Sequence, residues 1–134
     1  MPSEDELNRI AYEIRGCGPR VHQKLGPGCF ESAYSPCFAY ELKKSKLEFH
    51  SQVSLTIVYE GIVVPDAYVA DYSIEGCVMG ELKAVERLAP IHSRQMDTYL
   101  KISGYPLGLI LNFGASRFFD GVVRRVNNFP NGTR

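Results

Sequence analysis

The residues whose types and spacing indicate chemistry lie between positions 71 and 99. Glu81 and Lys83 are two residues apart in an apolar segment, residues 77–85, that is typical of a strand. Alternate side chains of a strand share a face, so this spacing places a carboxylate beside an ammonium group. Asp71 precedes Glu81 by an even number of residues, on another segment with a strand pattern. The three side chains are therefore candidates for one site.

A hairpin centred on Gly76 would bring Asp71 opposite Glu81, because both positions are equally far from that glycine. This register requires a loop with an odd number of residues, such as residues 75–77, and not a two-residue turn. Two carboxylates and a lysine on one face predict a metal-dependent hydrolytic site. The carboxylates bind a hard divalent cation, and the lysine offers positive charge to an anionic substrate or to an attacking water.

A solvated surface pair is the competing interpretation of Glu81 and Lys83, since exposed Glu-x-Lys pairs are common on sheets. The flanking residues are apolar, namely Val78, Met79, Leu82, Ala84 and Val85. They indicate a strand buried on much of both faces, where charged side chains are costly unless paired, metal-bound or lining a cleft. Pro65-Asp66 offers another upstream acid, but its odd spacing from Asp71 directs Asp66 to the opposite face of a regular strand.

Two predicted helices carry further candidates. Gln95 and Tyr99 are one turn apart on a helix that begins at Pro90, so they share a face. Glu31 and Tyr34 begin one stripe of a helix upstream of the strands. The competing interpretation of both tyrosines is a core position, and for Glu31 it is a complement to the helix dipole.

Asp71 followed by Glu81-Leu-Lys83 resembles the PD-(D/E)XK nuclease superfamily, and the segment Gln95-Met-Asp-Thr-Tyr99 resembles the Gln-x-x-x-Tyr element of its RecB-like exonuclease branch. The segment from Gly28 to Tyr34 matches the GxxExxY signature of a family of small proteins in that superfamily. The resemblance covers nearly the whole chain, to about residue 127. It implies an α/β fold with a restriction-endonuclease-like α-β-β-β-α-β core, in which helices flank a mixed central sheet.

Mg²⁺ or Mn²⁺ is the cofactor that the predicted carboxylate site and the resemblance imply. The ligands would be the carboxylates of Asp71 and Glu81, the backbone carbonyl of Leu82 and, by resemblance, Glu31 directly or through water. Lys83 would orient or help deprotonate the attacking water, or stabilise charge in the transition state.

Substrate contacts are also implied by the resemblance. Gln95 would contact a substrate phosphate or a metal-bound water, and Tyr99 would pack or hydrogen-bond nearby. Tyr34, from the GxxExxY signature, is a third candidate for substrate contact. His92 and Arg94 are candidates for phosphate contact, with surface positions as the competing interpretation.

The 134 residues fit a single domain, residues 1–134, with one core. The chain has 15 basic and 15 acidic side chains, and this zero net charge counts against tight non-specific binding of nucleic acid. No apolar stretch approaches the ~20 residues of a membrane span, and the N-terminus lacks a signal-peptide pattern, so a cytoplasmic protein is expected. The four cysteines lack metal-ligand spacing and are expected to be reduced and mostly buried.

The order of elements follows from the periodicity. Residues 1–25 form an N-terminal helical segment, whose interruption by Gly16, Gly18 and Pro19 predicts a kink or two short helices. Further helices are predicted for residues 30–44 and 90–103. Strands are predicted for residues 47–59, 62–74, 77–85 and 107–113, an edge strand or hairpin for 118–126, and a frayed tail for 131–134.

Three functions are compatible with these observations. The leading hypothesis is a metal-dependent phosphodiesterase that hydrolyses DNA. The alternative is a non-catalytic module that keeps the nuclease fold and binds a partner protein or nucleic acid. The third is a hydrolase for a small phosphorylated metabolite, which would need a closed pocket instead of an open groove. A homodimer is left open by the sequence.

Overall fold

The computed structural model describes residues 1–130, so the predicted tail lies outside the described residues. Two short helices form the N-terminal segment, α1 (Glu4–Gly16) and α2 (Gly18–Leu25). Ser3 and Glu6 form a capping box at the start of α1, and a proline stands in the first turn of α2. The predicted interruption is confirmed. Gly18 also permits close packing, because a Cβ there would lie 1.9 Å from Cζ of Phe118.

Helix α3 (Glu31–Lys44) follows, and then a five-stranded sheet. Its strands are β1 (Phe49–Tyr59), β2 (Ile62–Ile74), β3 (Val78–Lys83), β4 (Leu107–Asn112) and β5 (Val122–Val126), in the spatial order β1-β2-β3-β4-β5. Neighbouring strands are antiparallel except for β3 and β4, which are parallel and are joined through α4 (Pro90–Ser103). The mixed sheet with flanking helices confirms the predicted α/β restriction-endonuclease-like fold, since α3-β1-β2-β3-α4-β4 is the expected core order.

Several element bounds differ from the prediction by one or two residues. Strand β3 stops at Lys83, and not at residue 85, because the segment after it bonds to a side chain of β4 instead of to its backbone. The region predicted as an edge strand or hairpin is a short 3₁₀ helix, Phe118–Gly121, followed by the edge strand β5. Apolar periodicity predicts strands well and their last residues poorly, because side-chain contacts decide where a ladder ends.

The core has two parts, one on each face of the sheet. The larger part lies under α1, α2 and α3, where Tyr34, Phe38 and Leu42 are completely buried. The smaller part lies under α4, with residues Leu55, Ala70, Met79, Met96, Tyr99, Leu100 and Ile110. Helix α4 approaches β4 closely, since a Cβ on Gly108 would be 2.5 Å from Sδ of Met96.

Strands β1 and β2 extend far beyond β3, which pairs only with residues 72–74 of β2. Residues 53–70 therefore form a two-stranded β1–β2 ribbon that projects from the sheet. A bulge interrupts the ribbon between Leu55 and Ile57, opposite Asp66, which has a φ of +53°. Asp66 is exposed and accepts a hydrogen bond from Oγ of Ser54 within the ribbon, so it does not join the other carboxylates.

None of the four cysteines forms a disulfide. Cys17 and Cys77 are buried, Cys29 is half-buried and Cys37 is exposed, so the expectation of mostly buried cysteines holds only in part. No helix within residues 1–130 has the length and apolar character needed to cross a membrane.

Candidate active site

Strands β2 and β3 separate at the point where the carboxylates stand. The backbone ladder between them ends at the pair Tyr72–Gly80, after a turn over residues 75–77. One position beyond this pair, the backbone N–H of Asp71 donates to Oε1 of Glu81 at 2.7 Å. In return, the backbone N–H of Leu82 donates to Oδ2 of Asp71 at 2.8 Å. The odd-length loop predicted from the spacing thus places the two carboxylates across from each other, in a fork between the strands.

The fork is a poor environment for two negative charges. Glu81 is only 6% exposed. Burial, and next the charge of Asp71, raise the pKa of Glu81 from an ordinary 4.5 to about 7, although the Asp71 N–H and the charge of Lys83 oppose this shift. A cation bound between the carboxylates would remove the cost of ionising Glu81. This balance of burial and repulsion is typical of functional sites.

Oxygen atoms remain available for a cation. Each carboxylate uses one oxygen for the reciprocal hydrogen bonds, which leaves Oδ1 of Asp71 and Oε2 of Glu81. Because every buried side-chain nitrogen or oxygen within residues 1–130 has a hydrogen-bond partner, these two oxygens reach solvent. The N–H and C=O groups of one strand residue point to the same side, so the carbonyl of Leu82 also faces the fork. Three oxygens with open coordination positions suit Mg²⁺, which keeps several waters.

Glu31 does not join this set. It is the first residue of α3 and is exposed to solvent, where its charge complements the helix dipole. Among residues 1–130, no group of three or more His, Cys, Asp or Glu side chains is close enough together to hold one metal ion. The expected cluster of three carboxylates is therefore reduced to the pair Asp71 and Glu81.

Tyr34 is a core residue and not a substrate contact. It is completely buried and stacks on Phe113 with ring centroids 4.7 Å apart. Its hydroxyl donates to the carbonyl of Gly26 and accepts from the backbone N–H of Cys29 at 3.1 Å. The tyrosine of the GxxExxY segment thus fastens the loop that leads into α3, because both bonding partners of its hydroxyl belong to that loop.

Lys83 lies at the end of β3, on the face that Glu81 and Met79 share by strand alternation. Its carbonyl accepts from the N–H of Phe113 at 2.8 Å. Beyond it, the side chain of Asn112 replaces the ladder: Oδ1 accepts from the N–H of Val85 at 3.0 Å, and Nδ2 donates to the carbonyl of Val85 at 2.8 Å. Asn112 is only 2% exposed. Asn112 therefore fixes the backbone that follows β3, two residues after Lys83.

Asn112 was not among the residues predicted from the sequence, although two signals for it are present there. The residue is the one polar side chain that ends the apolar run of β4, and Gly114 follows closely. The N–H of Gly114 also donates to Oδ1 of Asn112 at 3.1 Å. A Cβ on Gly114 would lie 2.2 Å from the carbonyl oxygen of Val85, so only glycine fits at this position beside Val85.

Helix α4 brings Gln95 and Tyr99 to the same side of the sheet. Tyr99 is buried against the sheet, and its pKa is raised to about 12 by burial first and then by the charges of Glu81 and Asp71. Its hydroxyl therefore stays protonated and can donate a hydrogen bond next to the carboxylates. Gln95 is half-buried and lines a groove with Tyr68, a residue of β2 that sequence analysis had not selected.

The other phosphate-contact candidates on α4 separate in the structure. His92 accepts a hydrogen bond at Nδ1 from the backbone N–H of Ala89, at 3.0 Å, and so caps its own helix. Arg94 is exposed and lines the same groove as Gln95.

Comparison with known proteins agrees with this geometry. No curated protein and no solved structure matches the chain significantly. The family model of the PD-(D/E)XK nuclease superfamily matches residues 8–126, a range that includes both carboxylates of the fork, Lys83 and helix α4. On this match, which covers most of the chain, the protein belongs to the PD-(D/E)XK nuclease superfamily.

Proposed function

We propose that this protein is a metal-dependent phosphodiesterase that hydrolyses DNA at the fork between β2 and β3. The observation that carries the proposal is the reciprocal hydrogen bonding of Asp71 and Glu81, with Lys83 on the same face of β3. Members of this superfamily are usually metal-dependent nucleases. A fork of two carboxylates beside a lysine suits such a reaction, because it offers oxygen ligands to a metal ion and a positive charge to the substrate.

The chain provides oxygen ligands for a divalent ion. Asp71, Glu81 and the carbonyl of Leu82 would hold Mg²⁺ or Mn²⁺, with water completing the coordination. When bound, the ion supplies positive charge that polarises a phosphate oxygen and favours ionisation of a nearby water. The raised pKa of Glu81 supports this assignment, because a buried carboxylate that costs free energy to ionise gains most from a cation.

The other residues act on the substrate. The ammonium group of Lys83 orients the attacking water and stabilises the negative charge that develops on the phosphate. Tyr99, protonated because of its high pKa, donates a hydrogen bond toward a phosphate oxygen. Gln95 lies one turn before it on the same face of α4 and offers an amide donor.

We place the protein, within its superfamily, in the GxxExxY family of the RecB-like branch, on the order of Glu31, Tyr34, Gln95 and Tyr99 along the chain. The proposed location is the cytoplasm, where a nuclease would meet DNA. The absence of disulfides among the four cysteines is compatible with that compartment.

Cleavage assays test the proposal. Purified protein with Mg²⁺ or Mn²⁺ should cleave at least one member of a panel of single-stranded, duplex, flapped and branched DNA, and EDTA should stop the reaction. RNA is assayed alongside, to show whether the protein distinguishes DNA from RNA. Lys83→Ala should lower turnover with metal binding intact, whereas Glu81→Ala should remove both.

Contaminating nuclease is controlled by identical purification of two variants, Lys83→Ala and Lys101→Ala. Lys101 is an exposed lysine of helix α4. Lys101→Ala should keep full activity. Equal activity in wild type and Lys83→Ala, or no cleavage of any substrate with either metal, would instead favour the non-catalytic interaction module.

We also propose that two copies of the chain associate through the tip of the β1–β2 ribbon. Large apolar side chains are exposed there, namely Val58, Tyr59, Ile62, Val63 and Val64. Residues 47–82 contain no Lys or Arg, so the tip has no charge with which to attract nucleic acid. These five side chains are 42–68% exposed, and contiguous exposed apolar surface of this kind marks association sites.

The oligomeric state tests this association. Sedimentation velocity should show a dimer for the wild type and a monomer for Val63→Lys, which places a charge in the centre of the patch. A wild-type monomer at all accessible concentrations would contradict the proposal without bearing on the cleavage reaction.

A further inference from the structure

A narrow groove lies between the β1–β2 ribbon and helix α4. Tyr68 forms one wall, and the other is formed by four side chains of α4: Ile91, Arg94, Gln95 and Thr98. These four positions recur at helical spacing, so they form one stripe along α4. The groove has a volume of about 190 Å³. Pockets for whole small molecules are larger, about 300–1,000 Å³, so the groove fits one ring system.

The groove is linked to the carboxylates through the side chain of Tyr99. The ring of Tyr68 packs on the ring of Tyr99 with centroids 5.6 Å apart and an angle of 59° between the planes. Tyr99 in turn lies within range of the charges of Glu81 and Asp71. The order in space is therefore groove, Tyr68–Tyr99 pair, carboxylate fork, and a ligand in the groove would sit beside the site of phosphate chemistry.

The groove combines flat apolar surface with one cation. Tyr68 is 36% exposed and Ile91 is 54% exposed, so an aromatic ring and an aliphatic side chain both face solvent. Arg94 is the cation, and Gln95 and Thr98 are the hydrogen-bonding groups. The ribbon contributes no Lys or Arg, so it can hold nucleic acid only through stacking and packing.

We propose that this groove binds one unpaired nucleobase, stacked on Tyr68 and packed against Ile91, while Arg94 contacts the adjoining phosphate. The inference rests on the proposed function, because the base belongs to the strand that is cleaved at the fork. A base in a duplex is stacked and paired, and would have to leave the helix to enter. The subsite therefore favours single-stranded segments and frayed ends over blunt duplex.

Binding by fluorescence anisotropy tests the subsite without turnover. All proteins carry Lys83→Ala in addition, so that the labelled oligonucleotide stays intact in Mg²⁺. Tyr68→Ala should weaken single-strand binding on the order of tenfold, since stacking on one aromatic side chain has about that effect. Tyr68→Phe, which keeps the ring, should bind as before, and Ile91→Ser should weaken binding by a smaller factor. Tyr12→Ala, which removes an exposed tyrosine of α1, is the matched control and should have no effect.

An abasic site moved along the oligonucleotide locates the base. At one position it should weaken binding as much as Tyr68→Ala does, and there the two changes together should cost no more than either alone. Equal losses for single strands and blunt duplex, or additive effects at every position, would overturn the subsite. If the Tyr68→Ala protein, with Lys83 present, cleaved as fast as wild type, the subsite would also be refuted, but the proposed nuclease function would stand. Tyr68-dependent binding without cleavage by any preparation would refute the nuclease alone.

Discussion

At the scale of single residues, the site depends on one buried acid. Glu81 accepts a backbone hydrogen bond, lies across from another carboxylate and is almost inaccessible to solvent. Burial, and next the charge of Asp71, raise its pKa to about 7 in the protein without metal, against the opposing effect of the backbone hydrogen bond. Glu81 therefore makes the empty fork less stable at neutral pH, and cation binding more favourable.

The pH dependence of stability checks this balance. The pKa of Glu81 is higher folded than unfolded, so the folded protein binds the extra proton between pH 4.5 and about 7, and stability falls as pH rises through that window. Glu81→Gln should lack this decline and, at pH 8 in EDTA, should be more stable than wild type by about 3 kcal/mol, the equivalent of the shift from 4.5 to about 7. Urea unfolding followed by circular dichroism measures the difference. Glu86→Gln, an exposed neighbour, is the control, and a pH slope unchanged by Glu81→Gln would contradict the assignment.

Asp71 gives a second prediction, on metal binding. Mn²⁺ should raise the melting temperature of the wild type, because it binds the folded state alone. Asp71→Asn should lose that rise while staying as stable as wild type in EDTA, since the amide oxygen can still accept from the N–H of Leu82. Asp66→Asn, an acid held in the ribbon, should keep the full rise. If Asp71→Asn kept the full rise in melting temperature, the Mn²⁺ site would have to lie elsewhere in the protein.

At the scale of elements, the site depends on where two ladders stop. The β2–β3 ladder ends at Tyr72–Gly80, which opens the fork, and the β3–β4 ladder gives way to the side chain of Asn112. Between these two ends lies a short stretch of β3 that carries both Glu81 and Lys83. Helix α4 crosses this stretch closely and is joined to β5 by an ion pair of Asp97 and Arg125, with nitrogen–oxygen distances of 2.6 and 2.8 Å.

Replacing Asn112 should therefore affect both stability and turnover. Asn112→Ala leaves the N–H and carbonyl of Val85 without partners and should cost about 2–3 kcal/mol of unfolding free energy. It should also lower kcat more than it raises KM, because the backbone of Lys83 loses its support. Asn127→Ala is the matched control, since Asn127 bonds the carbonyls of Leu100 and Tyr105 at the far end of β5. A kcat equally reduced in both variants would show that Asn112 acts only through stability.

At the scale of the whole molecule, charge limits how tightly nucleic acid can bind. The chain has equal numbers of basic and acidic side chains, and residues 47–82, which include Asp71 and Glu81, contain no Lys or Arg. Non-specific attraction to phosphate is therefore weak, and affinity has to come from stacking and from the ion.

Salt dependence measures this limit. If Lys83 and Arg94 each neutralise one phosphate, the logarithm of the single-strand association constant should fall with the logarithm of salt concentration with a slope of about −1.4. Arg94→Ala should reduce the slope to about −0.7. Lys24→Ala, an exposed lysine of α2, should leave it unchanged. A much steeper wild-type slope would reveal a basic surface that the groove does not include.

The resemblance of the sequence to the PD-(D/E)XK nuclease superfamily implied the fold class, and the sequence by itself determined the order of the elements and the pairing of Asp71 with Glu81. The element order and that pairing have a local origin. Those features depend on local periodicity and on equal spacing about a turn, which are properties of the chain alone. The tertiary structure alone decided that Glu31 faces solvent, that Tyr34 bonds a loop, that Tyr68 lines a groove with α4, and that Asn112 bonds the segment after β3. The physical reason is that side-chain direction and contacts between distant segments depend on packing, which no spacing within one segment encodes.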